Sequence, residues 1–185
     1  TDIETSYLDD KTVYITYSGY GSGHVFMTTD LGKNWQNISQ TLPDVPTTAI
    51  AINPNNEDNL FVGTDIGVFA TYDRGLTWFP YGRKLPKSPV MDLAFRSTLL
   101  TGELILRCAT HGRSMWEVNV PDDIVIEPEI TSPGGGEIFV SGTNQTVSWY
   151  GFTLPVNVFY SIDDGQTWVQ IAENVNSNSL IWKVP

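Results

Sequence analysis

A phrase built from a hydroxyl residue, an aspartate, a glycine and a tryptophan occurs three times in the chain. It reads Thr28-Thr29-Asp30-Leu31-Gly32-Lys33-Asn34-Trp35, then Thr71-Tyr72-Asp73-Arg74-Gly75-Leu76-Thr77-Trp78, then Ser161-Ile162-Asp163-Asp164-Gly165-Gln166-Thr167-Trp168. A carboxylate, a hydroxyl and an aromatic face suggest, at first sight, one small binding site used three times. The spacing suggests another use. An aspartate can accept hydrogen bonds from backbone N–H groups inside a turn, and glycine supplies the positive φ that the turn requires. The hydroxyl can tie down the other limb, and the tryptophan can cover the turn with a large apolar face. Each phrase therefore reads as the tip of a β-hairpin with its own side-chain lock.

Other residues with chemical potential carry weaker patterns. The acid pairs Asp9-Asp10, Asp122-Asp123 and Asp163-Asp164 lack the loop length and ligand spacing of a dedicated calcium site. No cluster of metal ligands and no phosphate-cradling glycine loop is evident, so neither a metal nor another cofactor is expected. Cys108, the single cysteine, lies in the apolar run 104–109 and reads as a small core residue that can form no intrachain disulfide. Asn37-Ile38-Ser39 and Asn144-Gln145-Thr146 match the N-glycosylation pattern at Asn37 and Asn144.

The elements that must position these residues are strands. Of the 185 residues 41% are hydrophobic and 12% aromatic, enough for a packed core. The apolar runs are short and bounded by Gly, Pro, Asn or Asp, with almost no helical periodicity, which predicts an all-β fold. A net charge of −11 argues against nucleic acid or an anionic membrane as partner. The excess is uneven: residues 1–120 carry 9 basic and 13 acidic side chains, whereas residues 121–185 carry Lys183 against 8 acids. No run is long enough for a membrane-spanning helix. The chain opens on Thr1 rather than Met, which leaves room for a removed export leader.

A larger repeat contains the locks. Asp30 and Asp73 lie 43 residues apart, as do Val25-Phe26 and Val68-Phe69, and Leu42-Pro43 and Leu85-Pro86. A period in the low forties with four short strands is that of a β-propeller blade. Aligned on it, residues 47–81 make one complete blade, with three strands of another before it and three after it, and residues 1–10 an extended lead-in. The expected organisation is propeller blades over 1–120, a linker over 121–129 and a small, incomplete sandwich of immunoglobulin or fibronectin type over 130–185.

These residues resemble a known family. The phrase Ser/Thr-x-Asp-x-Gly-x-Thr-Trp is similar to the Asp-box, or BNR repeat, of sialidase-, sortilin- and xyloglucanase-type propellers. Gly63 to Phe69 and Ala109 to Trp116 resemble the closing blades of large secreted bacterial proteins of this group. Ile130 to Pro185 is similar to the immunoglobulin-like module that follows such propellers, especially in Bacteroidetes-type secreted proteins. The resemblance implies a secreted, cell-surface setting and makes the boxes fold determinants on the face away from ligand. It directs attention to the opposite loops: 19–23, 40–46, 64–67, 83–89 and 110–114. The polar groups there include Tyr20, His24, Asp44, Asp65, Arg83, Lys87, His111 and Arg113. Asp44 and Asp65 could oppose one another as a glycosidase pair, and His111 with Arg113, in a Thr-His-Gly-Arg segment that also reads as a tight turn, form the most tempting pair. Turn formation and solvation account for the same residues without catalysis, so no catalytic residue is assigned. The expected partners are the remainder of a larger parent chain or neighbouring copies of this one, together with glycans. The expected function is a non-catalytic extracellular module for adhesion, assembly into a polymeric or filamentous surface structure, or carbohydrate binding. The alternative is a fragment of a secreted glycoside hydrolase whose catalytic residues lie elsewhere.

Overall fold

A computed structural model describes residues 1–82, 84–98, 102–121 and 128–185. Every regular element among them is a strand. The chain divides into two compact units, Thr1–Ile124 and Val125–Pro185.

The first unit is built from three successive antiparallel meanders. The first runs β1 (Ile3–Thr5), β2 (Val13–Thr16), β3 (Val25–Thr28), β4 (Gln36–Asn37), and the second β5 (Thr47–Ile52), β6 (Leu60–Thr64), β7 (Gly67–Thr71), β8 (Phe79–Tyr81). The third runs β9 (Val90–Ser97), β10 (Leu104–Thr110), β11 (Met115–Val120). The sheets meet through their leading strands: β1 and β2 lie against β5, and β5 and β6 against β9. This is how propeller blades converge on an axis. It also explains why β5 and β6 read as continuous apolar runs, since Ala49 to Ile52 and Leu60 to Val62 are buried between neighbouring sheets.

Packing at these joints is close. A Cβ on Gly63 would lie 2.6 Å from Cγ1 of Val90, so the glycine lets β6 approach β9. One core joins the first two sheets, drawing Tyr14, Val25, Ile38 and Leu42 together with Ile50, Ile52, Leu60, Val62, Phe69 and Trp78. Each such side chain contributes roughly 1.5–3 kcal/mol by leaving water. Phe61 continues the packing outward, edge-on to Tyr81 and Phe95 with ring centroids 5.0 and 5.4 Å away.

The N-terminal segment differs from expectation. Residues 1–10 are not only a lead-in: Ile3–Thr5 pairs with Val13–Ile15, so the first meander has four strands and two meanders rather than one are complete. One isoleucine, itself exposed, is too little apolar text to reveal a strand. Polar ties hold it instead. The Asp2 N–H donates to Thr16 Oγ1 at 2.8 Å, and Asp2 Oδ2 accepts the Ile50 N–H at 3.1 Å. The expected linker falls mostly outside the described residues, and its last member, Glu129, already belongs to a strand.

In the second unit, β12 (Glu129–Ser132), β13 (Asn144–Tyr150) and β16 (Ser179–Lys183) form one sheet in the order β12-β13-β16, and β14 (Val156–Tyr160) pairs with β15 (Val169–Val175). Val147 and Trp149 are buried on the inner face of the larger sheet. Tyr160 at the end of β14 packs on Trp182 of β16, ring centroids 5.4 Å apart, which brings the two sheets together.

Candidate functional site

Three hairpin tips carry the repeated phrase, and their side chains make one bonding pattern. In the first, the Thr28 hydroxyl donates to Asp30 Oδ1 at 2.8 Å while accepting the Gly32 N–H at 3.0 Å, and Asp30 Oδ1 accepts the Asn34 N–H at 2.9 Å. In the second, Thr71 donates to Asp73 at 2.6 Å and accepts from Gly75 at 2.9 Å, with the Thr77 N–H 2.8 Å from Asp73 Oδ1. In the third, Ser161 donates to Asp163 at 2.8 Å and accepts from Gly165 at 2.9 Å, with the Thr167 N–H 2.8 Å from Asp163 Oδ1. The two residues after each aspartate have positive φ: Leu31 and Gly32 at 61° and 80°, Arg74 and Gly75 at 55° and 89°, Asp164 and Gly165 at 54° and 85°. A type I′ hairpin turn has the same two positive values.

These bonds engage Oδ1 of each carboxylate, and in Asp30 and Asp163 Oδ2 accepts as well, from the Asn34 side-chain amide at 2.7 Å and the Thr167 hydroxyl at 2.6 Å. Hydrogen bonds from Asn34, its backbone N–H foremost, hold Asp30 below the usual carboxylate range. The Thr167 hydroxyl, with that residue's N–H and Ser161, pulls Asp163 down to about 2. The tryptophans differ. Trp78 is 4% exposed and donates through Nε1 to the Ile38 carbonyl at 2.7 Å. Trp35 and Trp168 are 41% and 62% exposed, and Trp168 donates to its own Gly165 carbonyl at 3.0 Å.

The loops at the other end of the first unit bring two of the expected residues together. His24 Nε2 lies 3.0 Å from Asp44 Oδ1, and the same oxygen accepts the Gly21 N–H at 2.7 Å. One exposed carboxylate thus clasps loop 17–24 to loop 38–46. The His24 ring is buried, and its Nδ1 has no hydrogen-bond partner among the described residues. With Nε2 committed to Asp44 and Nδ1 shut away from solvent, the imidazole offers no nitrogen to a solute.

The remaining candidates are not gathered around this pair. Tyr20 is exposed near it. Asp65 is half-buried, its N–H donating to the Pro46 carbonyl at 3.1 Å, and the His111 N–H makes the matching bond to Pro89 at 2.8 Å one sheet later. His111 and Arg113 are exposed, and the Arg113 carbonyl accepts the Trp116 indole N–H at 2.7 Å. Arg83 lies outside the described residues. Asn37 sits in β4 with its Oδ1 accepting the Ser39 N–H at 2.9 Å, and Asn144 opens β13. Burial pushes the Cys108 thiol up, which makes it a poor nucleophile. No group of three or more metal-ligating side chains occurs among the described residues. No described helix is long and apolar enough to cross a membrane.

No protein-family model matches the chain, and no curated protein matches it. Among solved structures it is similar to a GH74 enzyme of Niastella koreensis, with 14% identity and a TM-score of 0.46 over 94% of this chain and 30% of that one. A GH74 xyloglucanase from Xanthomonas campestris matches with 14% identity and a TM-score of 0.44, over 92% and 30% of the respective chains. The chain therefore spans about 30% of the length of these solved chains.

Sequence reasoning overlooked Glu57. Its carboxylate is 6% exposed and accepts from the Ser6 hydroxyl at 2.7 Å, the Leu8 N–H at 3.1 Å and the Tyr7 N–H. The surrounding Asn-rich turn, residues 53–59, gives no hint that one of its acids is enclosed. Ser39 was overlooked too: its hydroxyl oxygen accepts the His24 and Val25 N–H groups at 2.7 and 2.9 Å.

Proposed function

We propose that residues 1–185 form a non-catalytic, extracellular structural and binding module of Asp-box propeller blades and an immunoglobulin-like unit, which joins further polypeptide in a larger β assembly. The observation that carries this reading is the outer edge of the third meander. Among the described residues β11 is an edge strand with Met115, Trp116 and Val118 exposed, and it borders a hollow of about 390 Å³ walled by Val68, Tyr81, Leu85, Leu106 and Cys108. An unpaired strand edge beside an apolar hollow suits contact with polypeptide. On the loop face, by contrast, His24 and Asp44 are occupied with each other. Adhesion or glycan contact would then be a property of the assembled surface.

One preparation tests this. The expected results are no turnover on a panel of polysaccharides and sialosides, and either association at micromolar concentration in light scattering or a native protein heavier than this chain's 20.6 kDa. Turnover that is lost in Asp44→Asn or Asp65→Asn would overturn the non-catalytic reading in favour of a glycoside hydrolase fragment. A native 20.6 kDa protein that stays monomeric would overturn the assembly.

A further inference from the structure

The second unit leaves one side of its interior open. A cleft of about 470 Å³ runs between its sheets, lined by Ile130 of β12, Val147 and Trp149 of β13, Phe152, and Val156 and Val158 of β14. Ile130 pairs directly with Trp149 across the larger sheet, yet it is 55% exposed while Trp149 is 6% exposed. The smaller sheet covers the β16 side, where Tyr160 meets Trp182, and leaves the β12 side bare. Beside the bare side runs β14, whose edge opposite β15 pairs with no strand among the described residues. The buried indole N–H of Trp149 has no acceptor among them either.

We propose that this cleft is a strand-acceptor site: a β-strand from polypeptide other than a second copy of this chain adds to the free edge of β14, with alternate apolar residues entering the cleft and basic residues at its flanks. Each part of that description answers a feature of the cleft or the net charge of the unit that holds it. The free edge supplies main-chain donors and acceptors in a row, which only an extended backbone can match. Side chains of an added strand alternate with period two, so every second one faces Ile130, Val147 and Trp149. Charge selects the source. Residues 125–185 carry Glu127, Glu129, Glu137, Asp163, Asp164 and Glu173 against Lys183, so a second copy of the unit is repelled and a basic segment is drawn in. A glycan suits the cleft less well, because sugar hydroxyls need several polar partners. Asn157 is the only lining side chain with a carboxamide, hydroxyl or charge.

The inference rests on the reading of the chain as part of a larger β assembly, and it is tested on the whole chain. Short synthetic peptides of alternating valine and threonine, flanked by lysines or by glutamates, are titrated while tryptophan emission and backbone amide exchange are followed. The expected result is a shift in emission and slowed exchange confined to β14 amides, with the lysine-flanked peptide at least about tenfold tighter. Ile130→Lys, at an exposed edge position, is expected to weaken that peptide at least about tenfold. Its near-UV circular dichroism should stay unchanged. Protection away from β14, equal binding of the two peptides, or an unaltered affinity in Ile130→Lys would overturn the proposal. So would dimerisation that protects β14, or a response to soluble oligosaccharides in place of the peptides. Turnover with strand capture intact would overturn the non-catalytic reading alone, and absent capture without turnover would overturn this inference alone.

Discussion

The second and third hairpin tips have the same bonds and different surroundings. Thr71, Asp73 and Gly75 repeat the hydroxyl, carboxylate and glycine contacts of Ser161, Asp163 and Gly165 to within about 0.2 Å. Yet Trp78 is enclosed by the first two meanders, while Trp168 lies 62% exposed at the rim of an open cleft. The turn is thus a local device, complete within eight residues and portable between units. The burial of its tryptophan belongs to the tertiary neighbourhood. The same phrase can staple two sheets together in one place and merely close a hairpin in another.

The largest contrast is expected on removing the tryptophans. Trp78→Ala should cost about 3–5 kcal/mol in denaturant titration, since it empties a packed site and strips the Ile38 carbonyl of its donor. Trp168→Ala should cost about 1 kcal/mol or less, as for other exposed side chains. Equal losses would mean that the tryptophan acts through the turn rather than through its surroundings.

A smaller difference separates the glycines. Both have positive φ, so Gly165→Ala should cost roughly 1–2 kcal/mol of backbone strain. At Gly75 a Cβ would also stand 2.7 Å from the Ile38 carbonyl oxygen, and overpacking adds about 1–3 kcal/mol. Thermal or urea melts of the two variants should differ in that order. If they match, the neighbouring sheet yields without cost.

The smallest effect concerns acid. Asp163 titrates at about 2 in the folded chain, below the ordinary 3.8 of an aspartate. Its contribution is therefore whole above about 3.8 and lost as the pH falls through about 2. Carboxyl-carbon NMR should place the Asp163 midpoint there, with the exchange of the Thr167 and Gly165 amides quickening over the same range. A midpoint near 3.8 would show that the hydroxyl and amide bonds do not hold the anion.

Much of this was legible in the chain. The 43-residue offset between Asp30 and Asp73 located two successive meanders, and apolar runs such as Leu60–Val62 marked buried strands because sheets cover both their faces. Three kinds of feature were not legible. Ile3–Thr5 is a strand held by distant polar ties, and local text cannot show a partner 48 residues away such as Ile50. His24 looked like a loop residue offered to solvent, but its ring is buried and held at Nε2 by Asp44 from the next loop. The exposure of Trp35 and Trp168 against the burial of Trp78 depends on whether another sheet stands nearby, which no eight-residue phrase encodes.

Glu57 joins pieces that the repeat keeps apart. It sits in the turn between β5 and β6, and its carboxylate grips residues 6–8, just past β1. Mechanically, that makes the first meander a strap buckled to the second. A pull on the N-terminus is not spent in peeling β1 from β2 alone, because the load also crosses to the second meander, through the enclosed Glu57 side chain and through the bond from the Ile50 N–H to Asp2. The unit of resistance in this end of the protein is the pair of meanders, larger than the repeat from which it is built.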